Sequence, residues 1–165
     1  MRALRFFFAA TLAVLVPGAA VGVAGDFAGS PFARDMLAAH NNVRSRVDVP
    51  PLSWSARLAD RAQDWATHLL RGGRFYHRPN SNYGENLFEI SGAPVSAAQV
   101  VAAWASEARD YSYRANTCRG VCGHYTQLIW SRTREVGCAV AGDRRREVWV
   151  CNYDPPGNWI GERPY

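Results

Sequence analysis

The sequence predicts an α+β domain, on three observations. Three stretches carry apolar residues at helical spacing. Nearer the C-terminus, two short segments of strand character flank a turn. Composition is globular: of 165 residues, 48% are hydrophobic and 20% charged, which excludes a disordered chain.

The elements follow in order. Met1 to Arg5 is a short basic start, Phe6 to Val16 is an unbroken apolar run, and Pro17-Gly18 with small residues comes next. This pattern predicts a secretory signal peptide over residues 1–24, cleaved after Ala20 or Ala24. The run is shorter than the roughly 20 apolar residues that cross a bilayer, and no later segment is long enough, so no stable membrane insertion is expected after cleavage. Residues 25–165 show no repeat, low-complexity tract or linker, and read as one domain. In its first helix Met36, Leu37, His40, Val43 and Val47 fall at helical spacing. A second, after Pro50-Pro51, is striped by Leu58, Ala62, Trp65, Ala66 and Leu69 and stopped by Gly72-Gly73. A third runs from about Ser96 to Tyr111, striped by Val100, Trp104, Ala108 and Tyr111. A shorter helix is expected over Tyr125 to Trp130. Glu135 to Ala141 and Glu147 to Tyr153 read as strands of a hairpin. Centred on Gly142-Asp143-Arg144-Arg145, it sets Cys138 opposite Cys151, Val136 opposite Tyr153 and Val140 opposite Trp149, giving one apolar face.

That register bears on the cysteines. Four in an exported chain suggest two disulfides. The hairpin selects Cys138–Cys151 and leaves Cys118–Cys122; the competing use of Cys118-x-x-x-Cys122 is a zinc-thiolate site. Charge says less. The 19 basic residues are all arginine, and removing Arg2 and Arg5 with the leader lowers the net charge from +5 to +3. This is too small and scattered for a nucleic-acid partner, and Arg144-Arg145-Arg146 reads as a solvated hairpin tip. The leader predicts an extracellular localisation; arginine in place of lysine fits the GC-rich coding of some bacteria, in which the localisation would be periplasmic.

Few residues carry chemistry. Glu107 points to the apolar side of the third helix, where a carboxylate needs a partner. Candidates are His77, Glu85 and His124, while His68 reads as structural. Periodicity alone does not bring these four together, but three strings carry more information: Tyr83-Gly84-Glu85-Asn86-Leu87, Gly123-His124-Tyr125-Thr126-Gln127-Leu128-Ile129-Trp130 and Val150-Cys151-Asn152-Tyr153-Asp154-Pro155-Pro156-Gly157-Asn158-Trp159. With His40-Asn41-Asn42-Val43-Arg44 and Pro51-Leu52-Ser53-Trp54, they resemble the CAP superfamily of cysteine-rich secretory, antigen 5 and pathogenesis-related 1 proteins. The plant pathogenesis-related 1 type is nearest, down to Arg163-Pro164-Tyr165.

The resemblance implies a three-layer α-β-α sandwich with a small central antiparallel sheet. It also implies a cavity lined by His77, Glu85, Glu107 and His124, a donor set suited to zinc or another divalent cation. Such binding weakens as the histidines protonate. The competing role is an ion-pair network ordering the cavity wall. Plant relatives usually have six cysteines; here the positions before His77 and after Ala139 lack theirs, and the Cys118–Cys122 loop is shorter. The function expected is a secreted, noncatalytic defence or interaction module, binding a lipid, a sterol or an extracellular protein, with Phe75, Tyr76 and Tyr83 as contact candidates. One alternative is a metal-dependent hydrolase or peptidase with Glu85 or Glu107 as base, although no HExxH helix or nucleophile motif is present. The other is a precursor, because Pro155 to Tyr165 resembles the C-terminal peptide released from plant members.

Overall fold

The computed structural model describes residues 29–165, so the leader expected over 1–24 lies outside the described residues. The first helix, α1 (Pro31–Ser45), starts where Ser30 Oγ accepts the amide of Ala33 and Pro31 takes the first turn. It buries Met36, His40, Val43 and Arg44, while Leu37 and Val47 are half-buried. A two-residue strand, β1 (Ser53–Trp54), leads into α2 (Ala56–Gly72). The expected stripe of α2 is buried, and Gly73 closes the helix at φ 66°, the left-handed conformation that glycine adopts without strain.

After a loop comes β2 (Gly84–Ser91), a strand the sequence reading did not place. Its burial does not alternate, so the period-2 signal is missing. The third helix is shorter than expected. A capping box of Ser96 and Gln99 opens α3 (Ala97–Ala105), but residues Ser106–Asp110 tighten into a 3-10 turn. Ser106 Oγ donates to the Ala103 carbonyl, a local bond that competes with α-helical geometry. Ala108 is therefore exposed, and Tyr111 begins a small ribbon of β3 (Tyr111–Ser112) and β4 (Thr117–Cys118). The short helix α4 (Gly123–Leu128) lies two residues earlier than expected at each end.

The hairpin of β5 (Glu135–Gly142) and β6 (Arg146–Asp154) has the expected register: Cys138 opposes Cys151, Val136 opposes Tyr153, and Val140 opposes Trp149. Both disulfides, Cys118–Cys122 and Cys138–Cys151, are formed. The sheet order is β1-β5-β6-β2. Three strands are antiparallel, and the short β1 joins parallel to β5, making the sheet mixed. Pleating sorts the side chains to two faces. Leu87, Ala139, Ala141, Val148 and Val150 pack on Ala62, Trp65, Ala66 and Leu69 of α2. On the other face Val136, Cys138, Trp149, Cys151 and Tyr153 meet Met36, Val43, Val100, Trp104 and Leu128 from α1, α3 and α4. This is the three-layer sandwich. The layers touch closely at Gly137, where an added Cβ would sit 2.2 Å from the Ala59 nitrogen and 2.5 Å from the Ser55 carbonyl.

One arginine differs from its expected role, and a second has a role that spacing did not indicate. Arg144 and Arg145 are exposed at the hairpin tip, but Arg146 is not part of a solvated cluster. Its guanidinium bonds Glu89 at 2.7 Å and the Leu69 and Leu70 carbonyls at 2.9 Å, so it clamps β2 to the end of α2. Arg44 is fully buried and donates to the carbonyls of Pro50, Leu128, Trp130 and Thr133. Carbonyl dipoles, some from the end of α4, thus stand in for a carboxylate.

Candidate functional site

The site is assembled where β2 begins, beside the start of α4. Glu85 is the second residue of β2, and its side chain is only 6% exposed. Its Oε1 accepts from His77 Nδ1 at 2.9 Å and from the Arg78 amide at 2.9 Å; Oε2 accepts from Asn152 Nδ2 at 3.3 Å. The loop before β2 supplies His77, whose ring is 64% exposed. The hydrogen bond to Glu85 raises the His77 pKa above the ordinary histidine value, outweighing a lowering by burial.

The second pair is built by the 3-10 turn. Tightening the chain after Ala105 directs Glu107 to the first turn of α4. There Oε1 accepts from His124 Nδ1 at 2.6 Å, and Oε2 from the amides of His124 and Tyr125 at 3.0 and 3.2 Å. The His124 ring stacks on Trp104, with centroids 6.2 Å apart. Trp104 is itself fixed by donating its indole N–H to the Leu87 carbonyl.

The four candidates thus occur as two His–Glu pairs. Asn86 links them: it follows Glu85 on β2 and donates its side-chain amide to the His124 carbonyl at 3.1 Å. In each pair the histidine uses Nδ1, and Nε2 has no hydrogen-bond partner among the described residues. Each carboxylate has both oxygens engaged by protein donors. Asn86 and Asn152 were absent from the sequence-derived site; for Asn152, an amide between Cys151 and Tyr153 on an apolar strand was the signal for a buried polar role. Asn152 is completely buried, and its Oδ1 has no partner among the described residues.

Another cluster is not a metal centre. His40 lies with Cys138 and Cys151 so that their ligand-type atoms are within 4.8 Å of one another. The two sulfurs are bonded to each other, and metal binding requires thiolates. Both His40 nitrogens are also engaged, Nδ1 by the Met36 carbonyl and Nε2 by the Tyr153 hydroxyl. The zinc-thiolate reading of Cys118 and Cys122 meets the same objection, since they too form a disulfide.

Comparison with known proteins gives this arrangement a class. The model of the cysteine-rich secretory protein (CAP) family matches residues 37–153. Pathogenesis-related protein 1 of Arabidopsis thaliana is 43% identical over 133 residues, covering 80% of this chain and 81% of its own. Pathogenesis-related leaf protein 4 of Solanum lycopersicum is 44% identical over 137 residues, covering 80% and 82%. Among solved structures, venom allergen-like protein 4 of Schistosoma mansoni superposes with a TM-score of 0.68 at 28% identity, covering 82% of this chain and 94% of its own. NaASP2, solved with Zn2+, gives 0.66 at 25% identity, covering 85% and 88%. The sandwich with its paired histidines and glutamates is a CAP domain. The chain belongs to the CAP family, with plant pathogenesis-related 1 proteins among its relatives.

Proposed function

We propose that the protein is an exported, noncatalytic binding module of the defence or interaction type, in which His77 and His124 hold a divalent cation such as zinc through Nε2. The observation that carries this reading is the engagement of both carboxylates. A histidine that ligates a metal usually donates its other N–H to a carboxylate, which fixes the tautomer and aims the ring. Glu85 and Glu107 serve that purpose for His77 and His124. Each glutamate already accepts hydrogen bonds on both oxygens, so it is engaged in orienting its histidine and the adjoining backbone or amide, and this disfavours the hydrolase reading, in which it would act as general base. A bound cation supplies fixed positive charge that anchors an anionic or carbonyl group of a partner.

The Zn2+ structure of NaASP2 supports the choice of ion. Export is supported by the leader pattern and by two disulfides, which persist in oxidising compartments. The names of the plant relatives support the defence setting. The partner belongs to the lipids or extracellular proteins, with Phe75 and Tyr76 exposed beside His77 for contact.

Zinc calorimetry on the purified protein and on a His77→Ala/His124→Ala variant tests the reading. One binding event is expected, lost in the variant while the fold is retained by circular dichroism. Undiminished zinc binding in the variant would remove the cation site.

A further inference from the structure

We infer that the strip Arg71 to His77, where α2 ends and the next loop begins, is a docking surface for an anionic lipid bilayer. The inference narrows the lipid or protein partner proposed above and rests on reading the molecule as a binding module, but not on the cation.

Seven consecutive residues of this strip are exposed. Residues 65–84 contain three arginines and two histidines but no acidic residue. Among the described residues, Arg61, Arg71, Arg74 and Arg78 make no salt bridge, whereas Arg57 has two and Arg132 and Arg146 one each. Asp64 is the one carboxylate lining the shallow depression beside Arg71. The positive charge of this face is therefore largely uncompensated within the chain.

Within the positive strip stand two large apolar rings, Phe75 at 45% and Tyr76 at 41% exposure. Tyr76 is held firmly. The Tyr76 hydroxyl bonds His68 Nε2 at 2.8 Å, its carbonyl accepts the Trp65 indole N–H at 3.2 Å, and its ring meets Trp65 edge-on. Arg78 lies over the Trp65 ring and bonds the Arg61 carbonyl. Gly73 turns the chain off the helix, so Phe75 is carried outward on a braced loop. Basic residues flanking exposed aromatics complement a surface with negative headgroups above an apolar interior. A soluble polyanion would satisfy the arginines and leave Phe75 in water, so the ring favours a bilayer.

The test is vesicle co-flotation of the purified protein in EDTA, which removes any bridging cation. Vesicles are phosphatidylcholine alone or phosphatidylcholine with about one-fifth phosphatidylserine. Expected is binding to the anionic vesicles only, weakening with salt. Arg71→Glu/Arg74→Glu should lower it by more than tenfold, because each basic residue near the surface contributes about fivefold in partitioning. Phe75→Ser should lower it several-fold, and Arg46→Glu, at the end of α1 on the opposite face of the sheet, should leave it unchanged. All variants share one N-terminus, so differences among them report this surface. Equal binding by the wild type and the Arg71/Arg74 variant overturns the inference. So does retention on heparin, indifferent to Phe75→Ser, with no vesicle binding. Zinc calorimetry on the same samples separates failure here from failure of the cation reading.

Discussion

His40 and Arg44, one turn apart on α1, show how burial changes a side chain's chemistry. Complete burial lowers the His40 pKa from 6.5 to about 4, outweighing the bond from the Met36 carbonyl. The folded state therefore keeps His40 neutral at pH values where the unfolded chain takes up a proton. Its contribution to stability is intact above pH 6.5 and is lost as pH falls towards 4, by about 3 kcal/mol in total. Urea denaturation at a series of pH values should show this loss, and His40→Phe should flatten the profile over that window. Arg44 is the opposite case. Burial lowers its pKa to about 10, yet it remains charged at neutral pH because four carbonyls surround it. Arg44→Met would strand those carbonyls and should cost about 3–5 kcal/mol in chemical denaturation.

At the scale of elements, α2 against the sheet is the decisive contact. Its stripe of small and large apolar residues, Ala62, Trp65, Ala66 and Leu69, lies on Ala139, Ala141, Val148 and Val150. Gly137 lets the start of the helix approach the strand's backbone. A side chain there meets backbone atoms that cannot rotate away, so Gly137→Ala should lower stability by about 3 kcal/mol, measured by thermal or urea unfolding. Other elements depend on interactions that periodicity does not record. The end of α3 is set by one Ser106 hydroxyl, and β2 is held as a strand by pairing with β6 along its whole length. The tail from Pro155 is also tied down. Pro164 accepts from the Ser131 amide, Arg132 pairs with Glu162, and Tyr165 stacks on Tyr113 at 4.3 Å.

At the scale of the whole molecule, what was legible in the sequence was whatever rests on local repetition. The α2 stripe and the β5–β6 register are of this kind, because side-chain period and turn position determine which residues face inward. Glu107 was legible for a related reason, being a carboxylate on the apolar side of the helix that the spacing predicts, although α3 ends two residues before it. Its pairing with His124, seventeen residues on, was not, because helical periodicity does not register the 3-10 turn, begun at Ser106, that brings them together. The family resemblance implied His77, Glu85 and His124 as cavity residues, but not the division into two pairs. That division depends on which oxygen faces which nitrogen. Asn86 and Asn152 escaped for the same reason, since their roles exist only once β2 lies beside β6.

The Cys138–Cys151 bridge has a consequence for assembly. A hairpin shifted by one residue would turn Val136, Trp149 and Tyr153 to the wrong layer and would separate the two sulfurs. Among the hairpin's possible registers, the observed one sets the two sulfurs side by side. The bond therefore locks the alignment of β6, the strand along which β2 pairs over its whole length. The cystine acts as a rivet through the middle layer, fixing in covalent form the register on which both apolar faces depend.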